Sequence, residues 1–465
     1  MAQTIVGDLT IALEALRAAV PPGAFTQDTD DLAARAVDAS FIPPDGEPLA
    51  LVAPRTTDEV AAVMRIAHEH AIPVVPQGGL TGLAGGASAV AGCILLDLSR
   101  MTSIVRIDTD DHVAVVQPGV ITEHLANAVA ERGLFYPPDP ASWSTSTIGG
   151  NVATNAGGMR CVKYGVTRDW VRTLQVVLAD GTVVQTRPST VKAVAGLDLT
   201  SLFVGSEGTL GVITEITVAL LPAPGPSRGV SAGFPDVGSA LRAANEIMAG
   251  AHRPSTLELL DAVVVDAVCR LEPDCGLPAG AGAWLFAMTD ALVGAEDDLA
   301  EFARVVRAHG ATSVEVADEQ ADVDRLLAAR RLLNPAMREY RGASLNEDVC
   351  VPRSQLPAVL AAIEDLSREL GLPVGTGGHV GDGNLHPVVA YDPARPEELA
   401  VARTAHHKIM SLAVAHGGTV SGEHGIGTEK LGALPMELTD RVRDLQVALK
   451  GVLDPKGILN PGKKL

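Results

Sequence analysis

Val75-Pro76-Gln77-Gly78-Gly79-Leu80-Thr81-Gly82-Leu83-Ala84-Gly85-Gly86 begins in a short apolar run, Pro73-Val74-Val75-Pro76, that reads as a strand. Its glycines let successive backbone N–H groups curl round an anion without Cβ obstruction, and a diphosphate is the natural guest. The stretch is neither Gly-x-Gly-x-x-Gly opening a helix nor a Walker loop, since no Lys-Ser/Thr follows the glycines. A second loop, Ser146-Thr147-Ile148-Gly149-Gly150-Asn151-Val152-Ala153-Thr154-Asn155-Ala156-Gly157-Gly158, has two Gly-Gly pairs separated by Asn and Thr residues. Its amides and short polar side chains suit the edge of a polar ring system. With a third run, Gly205-Ser206-Glu207-Gly208-Thr209-Leu210-Gly211, these loops indicate a cleft for a large anionic cofactor rather than three tight turns.

Outward from this cleft, Leu49 to Val52 reads as a strand and 57–70 as a helix, giving a βαβ-like opening with the run at 73–76. Residues 8–38 read as helical, with Pro21-Pro22 ending the first helix. Short β-branched runs at 93–96, 103–105 and 113–117, a helix over 122–132 and strands at 171–178, 182–185 and 211–220 follow. Asp180-Gly181 supplies a hairpin turn. The stretch 137–165 lacks regular periodicity. Pro222-Ala223-Pro224-Gly225-Pro226 marks a boundary. Beyond it, helical segments (236–250, 296–309, 354–370, 396–416) alternate with strands (284–289, 312–316, 348–351, 386–390). This predicts an α+β domain with helices on one side of a mostly antiparallel sheet. The expected divisions are a helical segment 1–42, a cofactor domain 43–222, a second domain 223–435 and a C-terminal segment 436–465, in which Leu453 to Gly462 reads as rigid loop.

Composition narrows the function. A chain of 465 residues with 47% hydrophobic and 20% charged residues is globular and long enough for two or three domains. Only 3% aromatic residues and a net charge of −20 argue against nucleic acid as a partner. Cys93, Cys161, Cys269, Cys275 and Cys350 form no Cys-x-x-Cys pair, which fits a reducing compartment and excludes the usual iron-sulfur motif. Neither a signal peptide nor an 18-residue apolar window is legible, so the expectation is a cytoplasmic protein without a transmembrane segment.

The chemistry gathers in two later segments, Gly375-Thr376-Gly377-Gly378-His379-Val380-Gly381-Asp382-Gly383-Asn384-Leu385-His386 and Gly422-Glu423-His424-Gly425-Ile426-Gly427. The two histidines lie seven positions apart, so an unbroken strand would point them to opposite faces. A bend at Gly381-Asp382-Gly383-Asn384 can bring both rings to one side. Glu423 then completes a two-His, one-carboxylate face with open positions for substrate. His424, pointing elsewhere from Glu423, is placed to take a proton. His406 and His407 sit in a helical stretch and read as structural.

Val75 to Gly86, Ile148 to Gly158, Lys163-Tyr164-Gly165, Phe203 to Thr214 and Asn460-Pro461-Gly462-Lys463 together resemble the FAD-dependent D-2-hydroxyacid dehydrogenases of the vanillyl-alcohol oxidase superfamily. That group holds D-lactate dehydrogenases, D-2-hydroxyglutarate dehydrogenases and the FAD subunit of glycolate oxidase, and the resemblance runs from about Pro54 onward. It implies an α+β chain with a two-part FAD-binding domain, a substrate cap domain and a C-terminal segment returning to the flavin. FAD contacts are implied at Pro76, Gln77, Gly78, Gly79, Leu80, Thr81, Gly82 and Leu83, and at Pro138, Ser142, Thr147, Ile148, Gly149, Gly150, Asn151, Thr154, Asn155, Gly157, Gly158, Tyr164 and Gly165. Glu207, Gly208, Gly211, Val212, Ile213 and Asn460 complete that set. The family's metal ligands resemble His379, His386 and Glu423, and its proton acceptor resembles His424. The resemblance leads to the expectation of a divalent metal, zinc first, with manganese or iron as alternatives. The substrate-gripping arginine resembles Arg330, with Arg331 adjacent.

Two departures bear on function. No His or Cys stands between Gln77 and Gly82, so FAD is expected to be non-covalent. The 2-hydroxyglutarate members carry a lysine near the position of Asn346, a cation missing here, so a small D-2-hydroxy acid of the D-lactate type is expected over a dicarboxylate. Expected partners are that substrate and an electron acceptor, either a protein or a quinone; a homodimer is compatible. Rival readings are a metal-free superfamily member acting on sugars or lactones, a zinc hydrolase, and a subunit passing electrons to an iron-sulfur partner.

Overall fold

The computed structural model describes residues 2–40 and 42–465; Met1 and Phe41, both in the 1–42 segment, lie outside the described residues. The chain divides into two compact units. One comprises Met1–Gly157, Val166–Ala223 and Glu423–Leu465, the other Gly158–Gly165 and Pro224–Gly422. The second unit thus ends at Gly422 rather than at 435, and takes in a short piece of the stretch that lacked periodicity. Among the described residues, no helix is long and apolar enough to cross a membrane.

In the first unit the helix Ala2–Ala19 stops before Pro21-Pro22, and the chain then forms a strand, Phe25–Thr26, before the short helix Thr29–Ala34. The helical reading of 8–38 is therefore interrupted, because Phe25 and Thr26 pair with the strand Ala50–Val52. Val74–Gln77 and Ala50–Val52 both run parallel to Ile94–Asp97, which lies between them. The helix Thr57–His70 starts at Thr56, whose side chain accepts from Glu59 N, and buries Val60, Val63, Met64 and Ala67 at helical spacing. A second, antiparallel sheet orders Ile104–Asp108, Val113–Val116, Val212–Ala219, Val171–Val177 and Val183–Gln185. The C-terminal stretch joins the core of this unit through Ile458 and Leu459, and Val74 N donates to Ile458 O at 2.8 Å.

The second unit is built on one sheet ordered Ser313–Ala317, Arg228–Phe234, Ala283–Thr289, Thr256–Asp261, Val374–His379, Asn384–Tyr391 and Ala343–Asn346, antiparallel throughout. Helices cover both of its faces, correcting the one-sided expectation. Trp284, Phe286 and Met288 pack in one cluster with residues of Ala262–Leu271, Gln320–Arg331 and Leu333–Arg341. The intervening Ala283, Leu285 and Ala287 are buried too, and Val237–Ala249 and Ala295–Ala308 also pack against this strand. A strand buried at every position needs cover on both sides.

Several elements here escaped the sequence reading: Arg228–Phe234, Thr256–Asp261, Ala262–Leu271, Gln320–Arg331, Leu333–Arg341, Ala343–Asn346 and Val374–His379. Leu257 to Val268 is nearly unbroken apolar chain, in which strand and helix cannot be told apart by period. The switch falls at Asp261, whose carboxylate accepts from Val264 N at 2.9 Å and caps the helix Ala262–Leu271. Val374–His379, read as glycine-rich loop, is also a strand. Its glycines serve packing: a Cβ on Gly377 would stand 2.3 Å from Leu333 Cδ1, and one on Gly378 2.4 Å from the Asn384 carbonyl.

Candidate active site

A cavity of roughly 430 Å³ opens in the first unit, within the usual size range of small-molecule sites. It is walled by the loop after Val74–Gln77, by the segment around the helix Ile148–Thr154, and by Glu207, Gly208, Gly211 and Ile213. The first two walls touch so closely that glycine is needed. A Cβ on Gly78 would lie 2.5 Å from Thr147 Oγ1, and one on Gly79 2.5 Å from the Thr145 carbonyl oxygen. Thr147 in turn accepts from Gly150 N at 3.2 Å, holding the start of that helix.

The loop is braced from behind. Gln77 donates to the carbonyls of Arg35 and Ala87, both at 2.8 Å, and accepts from Arg35 Nε at 3.1 Å. Its polar atoms are thus spent on shaping the loop. Arg35 also reaches Gly78 O and Asp97. Lys463 Nζ donates to Gly85 O and Ser88 O, each at 2.7 Å, which sets a cation under the glycine-rich turn. Burial lowers its pKa from the ordinary lysine value, with nearby acidic groups working the other way. Glu207 accepts from Ile426 N at 2.9 Å and Gly427 N at 2.7 Å, and Asn460 Nδ2 donates to Gly86 O and Glu207 O. Asn460 Oδ1 is buried with no hydrogen-bond partner, an acceptor left over beside the cleft.

Most expected cofactor positions line this cavity, from Pro76 to Leu83, at Ser142 and Thr147, and through Gly149, Gly150, Asn151, Thr154 and Gly157. Others do not. Ile148 and Val212 are core residues, Pro138 is buried off the cavity, and Asn155 Oδ1 accepts from Arg168 N. Gly158, Tyr164 and Gly165 belong to the second unit, where Tyr164 OH and Lys163 Nζ both reach the carboxylate of Asp290. Glu423 and His424 line the same cavity. Arg35 and Lys463 were given no role from the sequence, because their partners, backbone carbonyls and for Arg35 also Gln77 and Asp97, lie far away in the chain.

In the second unit, His379 and His386 share one face of the sheet. The hairpin pairs His379 with Asn384 and His386 with Gly377, and the ring centroids lie 5.0 Å apart, edge to face. Both side chains are buried. His379 Nδ1 lies 2.5 Å from Oε1 of Glu258, its cross-strand neighbour, whose Oε2 accepts from Arg330 Nε at 2.6 Å. Burial pushes the Glu258 carboxyl upward, but His379 and Arg330 outweigh it and hold it below the ordinary glutamate value. Arg331 is exposed, so of the two arginines only Arg330 faces the histidines' support. Beside His386, Asp348 is fully buried and accepts from Asn384 Nδ2 at 2.7 Å and Ser421 Oγ at 3.1 Å, with His386 Nδ1 at 3.9 Å. His406 pairs with buried Glu347 at 3.0 Å, and His407 is exposed.

Residues 48–187 match the family model described as FAD binding domain, and 224–464 match FAD linked oxidases, C-terminal domain. The chain belongs to the FAD-linked oxidase family and is an FAD-linked oxidoreductase. It is 40% identical over 420 residues to the glycolate oxidase subunit GlcD of Bacillus subtilis, covering 90% of this chain and 88% of that one. It is 36% identical over 423 residues to a D-lactate dehydrogenase of Archaeoglobus fulgidus, covering 90% and 92%. The structure of p-cresol methylhydroxylase with substrate bound shares the fold, with a TM-score of 0.81 at 19% identity over 98% of this chain and 97% of that one. The zinc-hydrolase reading has no place for the FAD-binding domain and falls away.

Proposed function

We propose that the protein oxidises a small D-2-hydroxy acid of the D-lactate type to the 2-oxo acid, using non-covalent FAD and a divalent metal, zinc before manganese or iron. The pair His379 and His386 carries the proposal. Two buried imidazoles on one sheet face, one with Nδ1 engaged by a carboxylate, support a metal site over a plain core. Glu423 is the third ligand in this reading. It follows Gly422, where a Cβ would come 2.1 Å from Asn384 Nδ2, so the chain runs close against the His386 strand just before the glutamate.

When bound, the metal would supply Lewis acidity toward the C2 hydroxyl, and FAD would supply the acceptor for the hydride, hydrogen and electron pair together, that leaves C2. The residues do the rest. His424 takes the hydroxyl proton as general base. Arg330 holds the substrate carboxylate through its Nη groups, since Nε is committed to Glu258. Asn346 is neutral and so offers no charge to pair with a second carboxylate, which would lose several kcal/mol of hydration on entering a buried site unpaired. Lys408 is engaged with Glu369 at 2.8 Å and is not available to replace the missing cation. The names of the relatives, glycolate oxidase subunit and D-lactate dehydrogenase, fit a monocarboxylate. A glycolate-oxidising subunit that hands electrons to partner proteins is the second reading, favoured by the GlcD likeness.

Steady-state rates with a dye acceptor against D-lactate, glycolate, L-lactate and D-2-hydroxyglutarate test the proposal. D-lactate should lead, and Asn346→Lys should raise kcat/KM for the dicarboxylate relative to it. A wild-type preference for D-2-hydroxyglutarate of tenfold or more, about 1.4 kcal/mol, would overturn the substrate assignment.

A further inference from the structure

We propose that Glu258 is a positioning residue for both halves of substrate recognition: one carboxylate oxygen fixes the tautomer and plane of His379, and the other fixes the guanidinium of Arg330. This rests on the roles proposed above for His379 as ligand and Arg330 as carboxylate clamp.

Glu258 sits in Thr256–Asp261, an interior strand with Ala283–Thr289 on one side and Val374–His379 on the other. Its cross-strand neighbours are Phe286 and His379, and it is 0% exposed. The face it shares is that of Leu260, Trp284 and Phe286, where an apolar side chain would pack without cost. A carboxylate there loses several kcal/mol of hydration unless paired. Both oxygens are paired at short range, 2.5 Å to His379 Nδ1 and 2.6 Å to Arg330 Nε. An acceptor at Nδ1 keeps the hydrogen on that nitrogen and leaves Nε2 as the lone-pair donor, the state a metal ligand needs. An acceptor at Arg330 Nε fixes the guanidinium plane and turns its Nη groups away from the bond. Because one rigid strand residue makes both contacts, the ligand and the clamp are held in a fixed relation to each other. Loss of Glu258 should therefore disturb metal binding and carboxylate binding together.

The test uses the full-length holoenzyme and Glu258→Gln, which keeps the volume and removes one of the two acceptors. Zinc affinity, measured by competition with a chromogenic chelator, should fall by about 10–100-fold, and KM for D-lactate should rise while FAD content stays at wild-type level. Glu258→Asp, which retains the acceptors, should recover part of the zinc affinity. Unchanged zinc affinity in a folded Glu258→Gln protein overturns the proposal. If that variant fails to fold, ¹⁵N spectra of histidine-labelled, metal-free wild type decide: hydrogen on Nδ1 of His379 supports the proposal and hydrogen on Nε2 overturns it. The spectrum also separates the two claims, since a wild type that binds no zinc refutes the metal reading while the tautomer still reports on Glu258.

Discussion

His379 and His386 meet edge to face across an antiparallel hairpin, two strand positions out of register, with ring centroids 5.0 Å apart. Their common face, with the Asp382-Gly383 turn between them, is what makes a shared ion chemically reasonable. Replacing His379 or His386 by Ala should remove metal and turnover together while leaving the flavin spectrum near normal, because neither residue lines the cavity; Glu423→Ala should also remove metal and turnover, with a flavin spectrum that shifts because Glu423 does line it. His424→Ala should keep the metal and lose roughly 10²–10⁴-fold in rate. Metal analysis of the four variants checks this; a metal-free His424→Ala protein would reverse the division of roles.

The glycine wall gives a separate prediction. Gly79→Ala would drive a Cβ to 2.5 Å from the Thr145 carbonyl oxygen, a backbone atom that cannot swing aside. The two loops must part, at a cost typical of overpacking, about 1–3 kcal/mol. Purified Gly79→Ala protein should carry substoichiometric FAD and regain colour only slowly on adding it. Full occupancy would show that the loop contact is not needed for cofactor retention.

Flavin should also leave the wild-type chain intact. Between Gln77 and Gly82 there is no His or Cys to form a covalent bond, and acid or heat precipitation should release all FAD into the supernatant. Yellow colour retained in the washed pellet counts against this.

Much of the arrangement was legible because the chemistry is local. The loops at 75–86 and 146–158 announce themselves by glycine spacing, and the turn between His379 and His386 by its Asp-Gly dipeptide. What the sequence hid depends on partners distant in the chain. Val374–His379 has three glycines in six residues and so lacks strand propensity; only the closeness of Met337 to Gly375, of Leu333 to Gly377 and of the Asn384 carbonyl to Gly378 explains them. Glu258 looks like one polar residue in an apolar run until His379 is seen opposite it. Arg35 and Lys463 act by hydrogen bonds to carbonyls, which leave no pattern in side-chain order.

Asp261 predicts a pH effect on stability. Burial, set against hydrogen bonds from Val264 N and Thr376 N, raises its pKa from 3.8 to about 7. The folded state then holds a proton that the unfolded chain has released, so stability is greatest below pH 4 for this group and falls as pH rises toward 7, by up to about 1.4 kcal/mol per pH unit. Above 7 the contribution is level. Asp261→Asn keeps the cap and removes the slope, so its melting temperature relative to wild type should climb between pH 4.5 and 7.5. A difference that stays constant across that range would show that Asp261 is not protonated in the folded protein.

The central claim, metal-dependent oxidation of a D-2-hydroxy acid at a flavin, is tested most directly without any electron acceptor. Oxygen-free wild-type protein is mixed with D-lactate while the visible flavin absorbance is followed, first as purified, then after chelation, then after zinc is restored. The account predicts bleaching as purified, none after chelation, recovery with zinc, and none at any stage with L-lactate. Bleaching that proceeds equally in the chelated protein, with its metal shown to be gone, would contradict it.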